Sequence, residues 1–284
     1  MNSFRRSSTS LFSLGVVLLL AATAARAATV GGTWTSIGPF GGSVWSLAVA
    51  PSDASIVYAG TNAAGVWRST NGGSSWQPTA PIGSAPALAI VVDAADARLL
   101  YAATGGNGVW KSTDGGASWS AVSRGLPELT ILSLARDPHD PDTLYAGTSQ
   151  SGLWKSTTGG AQWFHPGRGL RRGPVLSIAL DPRDPRVVYA APSRNFVSSV
   201  SKSTDGGLTW QEKSAGLPNP LGGRFVYQLA HDPASPDVVY ADLGSDGIFR
   251  SDDGAAHWTA TAIAGFPMAV GPGVVLTASN EKSF

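Results

Sequence analysis

The nine-residue stretch "KSTDGGASW" (Lys111 to Trp119) returns as "RSTNGGSSW", "KSTTGGAQW", "KSTDGGLTW" and "RSDDGAAHW". Their final tryptophans, Trp76, Trp119, Trp163, Trp210 and Trp258, are 43, 44, 47 and 48 residues apart. Tyr58, Tyr101, Tyr145 and Tyr240 each stand 18 residues before one of them, and Tyr189 stands 21 before Trp210 because "APSRNFVSSV" carries an insertion. Self-similarity at this period means one supersecondary unit repeated. In the third unit the β-rich runs "ILSLA", "TLYAGT", "GLWKS" and "AQWFH" are separated by "RDPHDPD", "SQS" and "TTGG". Short β-rich runs between Gly, Pro, Asp and Ser clusters are strand and turn signals. Four antiparallel strands in some forty residues make a propeller blade. A helical solenoid of the same period is excluded, since Gly and Pro break every candidate helix.

"STDGGASW" and "STDGGLTW" resemble the Asp-box, or BNR, repeat, which is found in sialidases, sortilin-type receptors, xyloglucanases and photosystem II assembly-factor-like proteins. That resemblance implies an all-β propeller in which each box is the turn between the third and fourth strands of a blade. Fold and function are separable in such families. The box carboxylates read as turn caps, which Asx residues supply by accepting nearby N–H groups. The box position holds Asn71, Asp114, Thr158, Asp205 and Asp253, while the tryptophan never changes. A turn hydrogen bond is worth about 1 kcal/mol and a buried aromatic about 3–5 kcal/mol, so the carboxylate can drift and the indole cannot. Lys111, Lys155, Lys202, Arg68 and Arg250, just before the box serine, read as positions on the blade surface.

Trp34, 42 residues before Trp76, reads as an isolated fourth strand, and the C-terminal "FPMAVGP" and "VVLTAS" as first and second strands. Joining them gives six blades with closure by both termini, which hides the sheet edges. A truncated seven- or eight-bladed ring is the alternative. Residues 1–27 read as a signal peptide, with Arg5 and Arg6, an apolar run from Leu11 to Ala22, and "ARA" at the cleavage site. Residues 28–284 are then the propeller, exported to the periplasm or beyond. Removing the signal leaves 17 basic and 19 acidic residues, a net charge of −2 that argues against nucleic acid as partner. Cysteine is absent, which excludes disulfides. The mature chain carries no apolar run long enough to span a bilayer. No oligomerising feature stands out, so a monomer is expected.

Strand order places the boxes and the "DPHDPD"-type loops, with Asp140, Asp142, Asp184 and Asp237, on one face. The loop-rich face receives Arg124, Arg168, Arg171, Arg172, Arg194 and Arg224, a basic sector suited to an anionic ligand or an acidic protein surface. Glu128 with Asp242 or Asp246 is the one set from which a glycosidase carboxylate pair could come. His139, His165, His231 and His257 lack metal-ligand spacing, and "DLGSDG" (Asp242 to Gly247) reads as a turn rather than a calcium loop. Neither cofactor nor metal is expected. The sequence therefore favours a binding module for a protein, peptide or glycan, with a sialidase- or xyloglucanase-like hydrolase as the alternative.

Overall fold

The computed structural model describes residues 38–39, 43–62, 65–194, 197–218, 225–263, 268–271 and 274–277. Residues 1–27, read above as a signal peptide, Trp34, Arg224 and the final "NEKSF" lie outside them. The first sheet is β1 (Val44–Ala50), β2 (Asp53–Thr61), β3 (Val66–Ser69) and β4 (Gln77–Pro78), antiparallel and in sequence order. The second repeats it with β5 (Ala87–Val92), β6 (Leu100–Thr104), β7 (Val109–Ser112) and β8 (Ser120–Ala121). The third has β9 (Ile131–Arg136), β10 (Leu144–Thr148) and β11 (Leu153–Ser156). Its expected fourth strand is reduced to one bridge between Lys155 and Phe164.

The fourth sheet comprises β12 (Val175–Leu180), β13 (Val188–Arg194), β15 (Ser201–Ser203) and β16 (Gln211–Glu212). The insertion adds β14 (Val197–Ser198), which pairs back on β13. The fifth is β17 (Gln228–Asp232), β18 (Ser235–Asp242), β19 (Ile248–Ser251) and β20 (Thr259–Ala260). Two strands of a further sheet follow, β21 (Met268–Gly271) and β22 (Val274–Thr277). The first strands of consecutive sheets, β1, β5, β9, β12, β17 and β21, lie side by side. This is the arrangement of a β-propeller, with each innermost strand against the next blade.

The seams between sheets hold the core. Trp163 packs with Tyr101, Val109, Ile131 and Leu144 across the second and third sheets. Trp210 packs with Tyr145 and Leu153, and Trp258 with Tyr189 and Val200, at the next two seams. Trp163, Trp210 and Trp258 are buried, whereas Trp76 and Trp119 are half-buried. Trp163 Nε1 donates to the Val122 carbonyl at 2.7 Å and Trp258 Nε1 to the Lys213 carbonyl at 2.8 Å, each tying a blade to the linker of the one before. The blade tyrosines reach the other way: the Tyr145 hydroxyl donates to the Gly206 carbonyl at 3.0 Å, and the Tyr189 hydroxyl to that of Gly254 at 3.2 Å.

Two of the basic residues before the box serines, Lys155 and Lys202, are struts across these seams, a more specific role than blade-surface placement. Lys155 Nζ donates to the Gly206 carbonyl at 2.8 Å while sitting 5.0 Å from the Tyr145 ring centroid. Lys202 does the same with Gly254 and Tyr189, at 3.0 and 5.2 Å. A cation over an aromatic face is attractive.

The tryptophan turns behave as the sequence implies. Ser118 N–H and Oγ donate to the two Asp114 oxygens at 2.9 and 2.5 Å, and Ser112 Oγ donates to Oδ1 at 2.8 Å. These hydrogen bonds, the Ser118 hydroxyl first, hold the Asp114 carboxyl down at about 2. Asn71 Oδ1 accepts from Ser75 N–H at 2.8 Å, and Thr158 Oγ1 from Gln162 N–H at 2.9 Å. The substitutes therefore keep the turn bond without the charge. Gly116 has φ 90° and lies against Thr79, where a Cβ would come within 2.6 Å of Cγ2. The fifth turn places Ala255 at this position with φ 70°, a conformation that L residues adopt at a cost.

Candidate functional site

Backbone bonds fix the two faces. The turn amides of Gly115, Gly159, Gly206 and Gly254 donate to the carbonyls of Arg98, Asp142, Arg186 and Asp237, so the turns share a face with the loops between first and second strands. On the opposite face Glu128 joins the second linker to the β10–β11 loop. It accepts from Ser149 Oγ at 2.6 Å, Ser151 N–H at 2.7 Å and Gln150 N–H at 2.9 Å. Burial pushes this carboxyl up, but the hydrogen bonds outweigh it and hold Glu128 below the usual range. A carboxylate so engaged anchors a loop and is unsuited to deliver a proton.

Asp242, its proposed companion, has the opposite character. It is fully buried at the end of β18, with Oδ1 accepting the Gly244 N–H at 2.7 Å and Oδ2 lacking any hydrogen bond. Burial raises its carboxyl to about 6, against the lowering effect of the Gly244 bond. Asp246 belongs to a short 3₁₀ turn, Gly244–Asp246, so "DLGSDG" is a turn as expected. Glu128 stands between the second and third sheets and Asp242 in the fifth, so they do not form one cluster.

Five of the six arginines lie among the described residues. Arg124 and Arg168 occupy one repeated linker position, which is Ala215 in the fourth linker. Their carbonyls accept the backbone N–H of Trp163 and Trp210 at 2.9 and 3.0 Å, and the Ala215 carbonyl accepts that of Trp258 at 2.8 Å. This "R-G-L" linker repeat ("SRGL", "GRGL", with "SAGL" following) is legible in the sequence once the linkers are aligned. Arg171 pairs with Glu212 at 2.8 Å, both half-exposed. Arg172 lies against Gly152 of the third sheet, and Arg194 at the end of β13 lies against Gly173. The structure thus gathers Arg171, Arg172 and Arg194 on one rim and leaves Arg124 a seam away. Arg224 is outside the described residues.

A cavity of about 410 Å³ opens between the fourth and fifth sheets on the loop-rich face. Leu217, Pro218, Phe225, Val226 and Leu243 give it apolar walls, and Ser198, Ser214 and Glu212 supply polar groups. Ser198 comes from β14, the product of the insertion, and Leu217 to Val226 flank the longest linker. Both departures from the repeat therefore converge here. Ser198 Oγ is buried without a hydrogen bond, while Ser214 Oγ accepts from Val200 N–H at 3.0 Å. Tyr227, the one tyrosine outside the blade repeat, lies just beyond Val226 with its ring 5.8 Å from that of Phe225. The blade tyrosines Tyr145 and Tyr189 have their hydroxyls pushed up by burial and engaged in seam bonds, which disqualifies them as nucleophiles. Among the described residues no three His, Asp or Glu approach closely enough to hold a metal, and no helix is long and apolar enough to cross a membrane.

No protein-family model matches the sequence, and no curated protein matches it. Solved structures do. The chain is similar to the GH74 xyloglucanase of Xanthomonas campestris, with 23% identity and TM-score 0.63 over 76% of this chain and 38% of that one. It is similar to an ancestral GH74 enzyme, with 23% identity and TM-score 0.63 over 77% and 33%. It is also similar to YCF48 bound to D1 peptide, with 14% identity and TM-score 0.57 over 78% and 67%. The chain thus spans 38% and 33% of the two GH74 structures. At such identities the likeness establishes the fold: the protein is a β-propeller.

Proposed function

We propose that the protein is an exported, non-catalytic propeller of Asp-box repeats that recognises a protein, peptide or glycan through its loop-rich face, acting as a monomer. The observation that carries this reading is the convergence of the insertion and the longest linker on one apolar-walled, polar-rimmed cavity. Repeats conserve what folds the ring, so the irregular parts are where a particular ligand would be met. An apolar pocket with a few polar groups at its edge is the usual form of a binding site. Arg194, on β13 where it pairs with β14, brings a guanidinium fork for carboxylates close to the Ser198 wall, as in the basic sector read from the sequence. The likeness to YCF48 bound to a peptide favours a peptide among the three ligand classes.

Peptide display on the immobilised mature protein tests this. The expected result is a consensus sequence enriched on the wild type and lost on Leu243→Asp, with folding of the variant verified by circular dichroism. Equal enrichment on both would discard the cavity as the recognition site. A hydrolase is the second reading. It is favoured by the likeness to GH74 enzymes and by the proton affinity of Asp242, and opposed by the loop-anchoring role of Glu128. Turnover of any of a panel of aryl glycosides would favour it over the binding module.

A further inference from the structure

In every described sheet the residue two beyond the blade tyrosine faces the next sheet. In the first sheet this is Gly60, where a Cβ would lie 2.3 Å from Ser46 Oγ and 2.5 Å from the Ala87 carbonyl of the neighbouring sheet. In the third it is Gly147, where a Cβ would meet Ser133 Oγ at 2.2 Å and the Val175 carbonyl at 2.4 Å. The second and fourth sheets have Ala103 and Ala191, both fully buried. The seam position thus admits a hydrogen or a methyl group. In the fifth sheet it holds Asp242, opposite Gln228 on β17 where the first and third sheets have Ser46 and Ser133.

Alternation along β18 fixes where this carboxyl points. Val239, Ala241 and Leu243 pack toward the fourth sheet with Val200 and Trp258. Val238 and Tyr240 pack with Ile248 and with Val270 of β21. Asp242, two residues after Tyr240, therefore faces the seam between the fifth and sixth sheets. It is fully buried and one of its oxygens lacks a hydrogen bond. An ionised carboxylate in that state is strongly disfavoured, whereas the neutral acid is tolerated.

We propose that the seam between the fifth and sixth sheets is a pH-sensitive joint, closed while Asp242 is neutral and loosened when it ionises. Among the described residues, the groups packed around it offer no counter-charge. Tyr227 precedes β17, and its hydroxyl is itself pushed up, by burial first and by Asp242 second. Gln228 faces Asp242 from β17, Ile248 from β19, and Gly244 N–H from the following turn, to which Asp246 belongs. The strands β21 and β22 contain no titratable residue. The carboxyl's rise from 3.8 to about 6 agrees with this geometry. Opening hydrates the group and restores its ordinary value, so opening becomes easier as pH rises from about 4 to about 6 and levels off above. The joint also borders the candidate site, since Leu243, the next residue, lines the cavity on the opposite side of the strand.

Hydrogen exchange of the β21–β22 amides, corrected for the intrinsic pH dependence of exchange, tests the proposal on the full mature chain. Two pK units correspond to a hundredfold, so the opening equilibrium should grow by up to about a hundredfold between pH 4 and pH 7. Asp242→Ala, which places at this position the residue already present at Ala103 and Ala191, should flatten that profile. Asp242→Asn should flatten it as well, providing an isosteric control. The proposal is overturned if wild type and both variants share one pH profile, or if the amides of β5–β6 show the same change as those of β21–β22.

Discussion

Between the second and third sheets, Trp163 fills the seam at its turn end and Leu126 closes it from the linker, leaving a continuous apolar contact with Tyr101, Val109 and Ile131. Between the fourth and fifth, Trp258 fills the corresponding place and Leu217 is the corresponding linker residue, but a cavity remains above them. The two seams begin with the same parts. Their turn ends match, down to an indole N–H bonded to the preceding linker, and they diverge at the loop end, where β14 and the long linker replace short connections. The repeat thus builds a ring whose closed side is generic and whose open side is individual.

The most damaging test of the shared half is removal of the indoles. Trp163→Ala and Trp258→Ala should each lower the unfolding free energy by about 3–5 kcal/mol in urea titrations, since each is buried and hydrogen bonded. Equal losses would confirm that the seams match at the turn end. A negligible loss for Trp258→Ala would mean that the fourth–fifth seam is open throughout, and the comparison would fail.

The next largest effect has the opposite sign. Asp242→Ala should stabilise the protein at pH 7 by roughly 2–3 kcal/mol, the equivalent of about two pK units. The gain should shrink as pH falls from about 6 towards 4 and vanish below about pH 3, where the carboxyl is neutral in both folded and unfolded chains. Chemical unfolding across this pH range measures it. A loss of stability at pH 7 would show that Asp242 has a favourable partner.

Glu128 belongs to the regular half of the loop face, and its replacement should be milder. Glu128→Gln weakens bonds to two backbone amides and a hydroxyl, a cost of about 1–2 kcal/mol at pH 7. Because the folded carboxyl lies below its ordinary value, its contribution is present above about pH 4.3 and disappears as pH falls through the folded value. The gap between wild type and variant should therefore narrow as pH is lowered below the ordinary glutamate range. A gap independent of pH would assign the effect to packing instead of charge.

The ring was legible in the sequence because its determinants recur. The tryptophans, the tyrosines and the Gly-rich turns each report the same contact several times, and a period near 44 residues leaves little choice of fold. The site was less legible for the same reason. The "APSRNFVSSV" insertion marks one wall of the cavity, but nothing local pairs Ser198 with Leu243, which lies 45 residues away in the next blade. Of the arginines clustered along the chain, Arg171, Arg172 and Arg194 share one rim, while Arg124 lies a seam away. Arg124 and Arg168 turned out to be copies of one linker position whose backbone serves the next tryptophan. Asp242 could be read in "VYAD" as a departure from "VYAG" and "LYAA", yet its significance depends on knowing which face of β18 meets a neighbour.

The smallest expected effect concerns the carboxylate of a box turn. Asp114→Asn should leave the unfolding midpoint closer to wild type than Glu128→Gln does, in paired thermal melts at pH 7. The first turn already shows why: Asn71 accepts the Ser75 amide at 2.8 Å, and its side-chain nitrogen donates to Ser75 Oγ at 2.8 Å, so an amide reproduces the geometry with one bond reversed. The third turn goes further, since Thr158 retains the backbone bond with a hydroxyl alone. The carboxylate is exposed and screened by water, and its acceptor bonds in the turn are ones an amide oxygen also makes. A large loss on Asp114→Asn, or loss of ligand recognition with stability intact, would show that this turn does more than hold the tip of its blade.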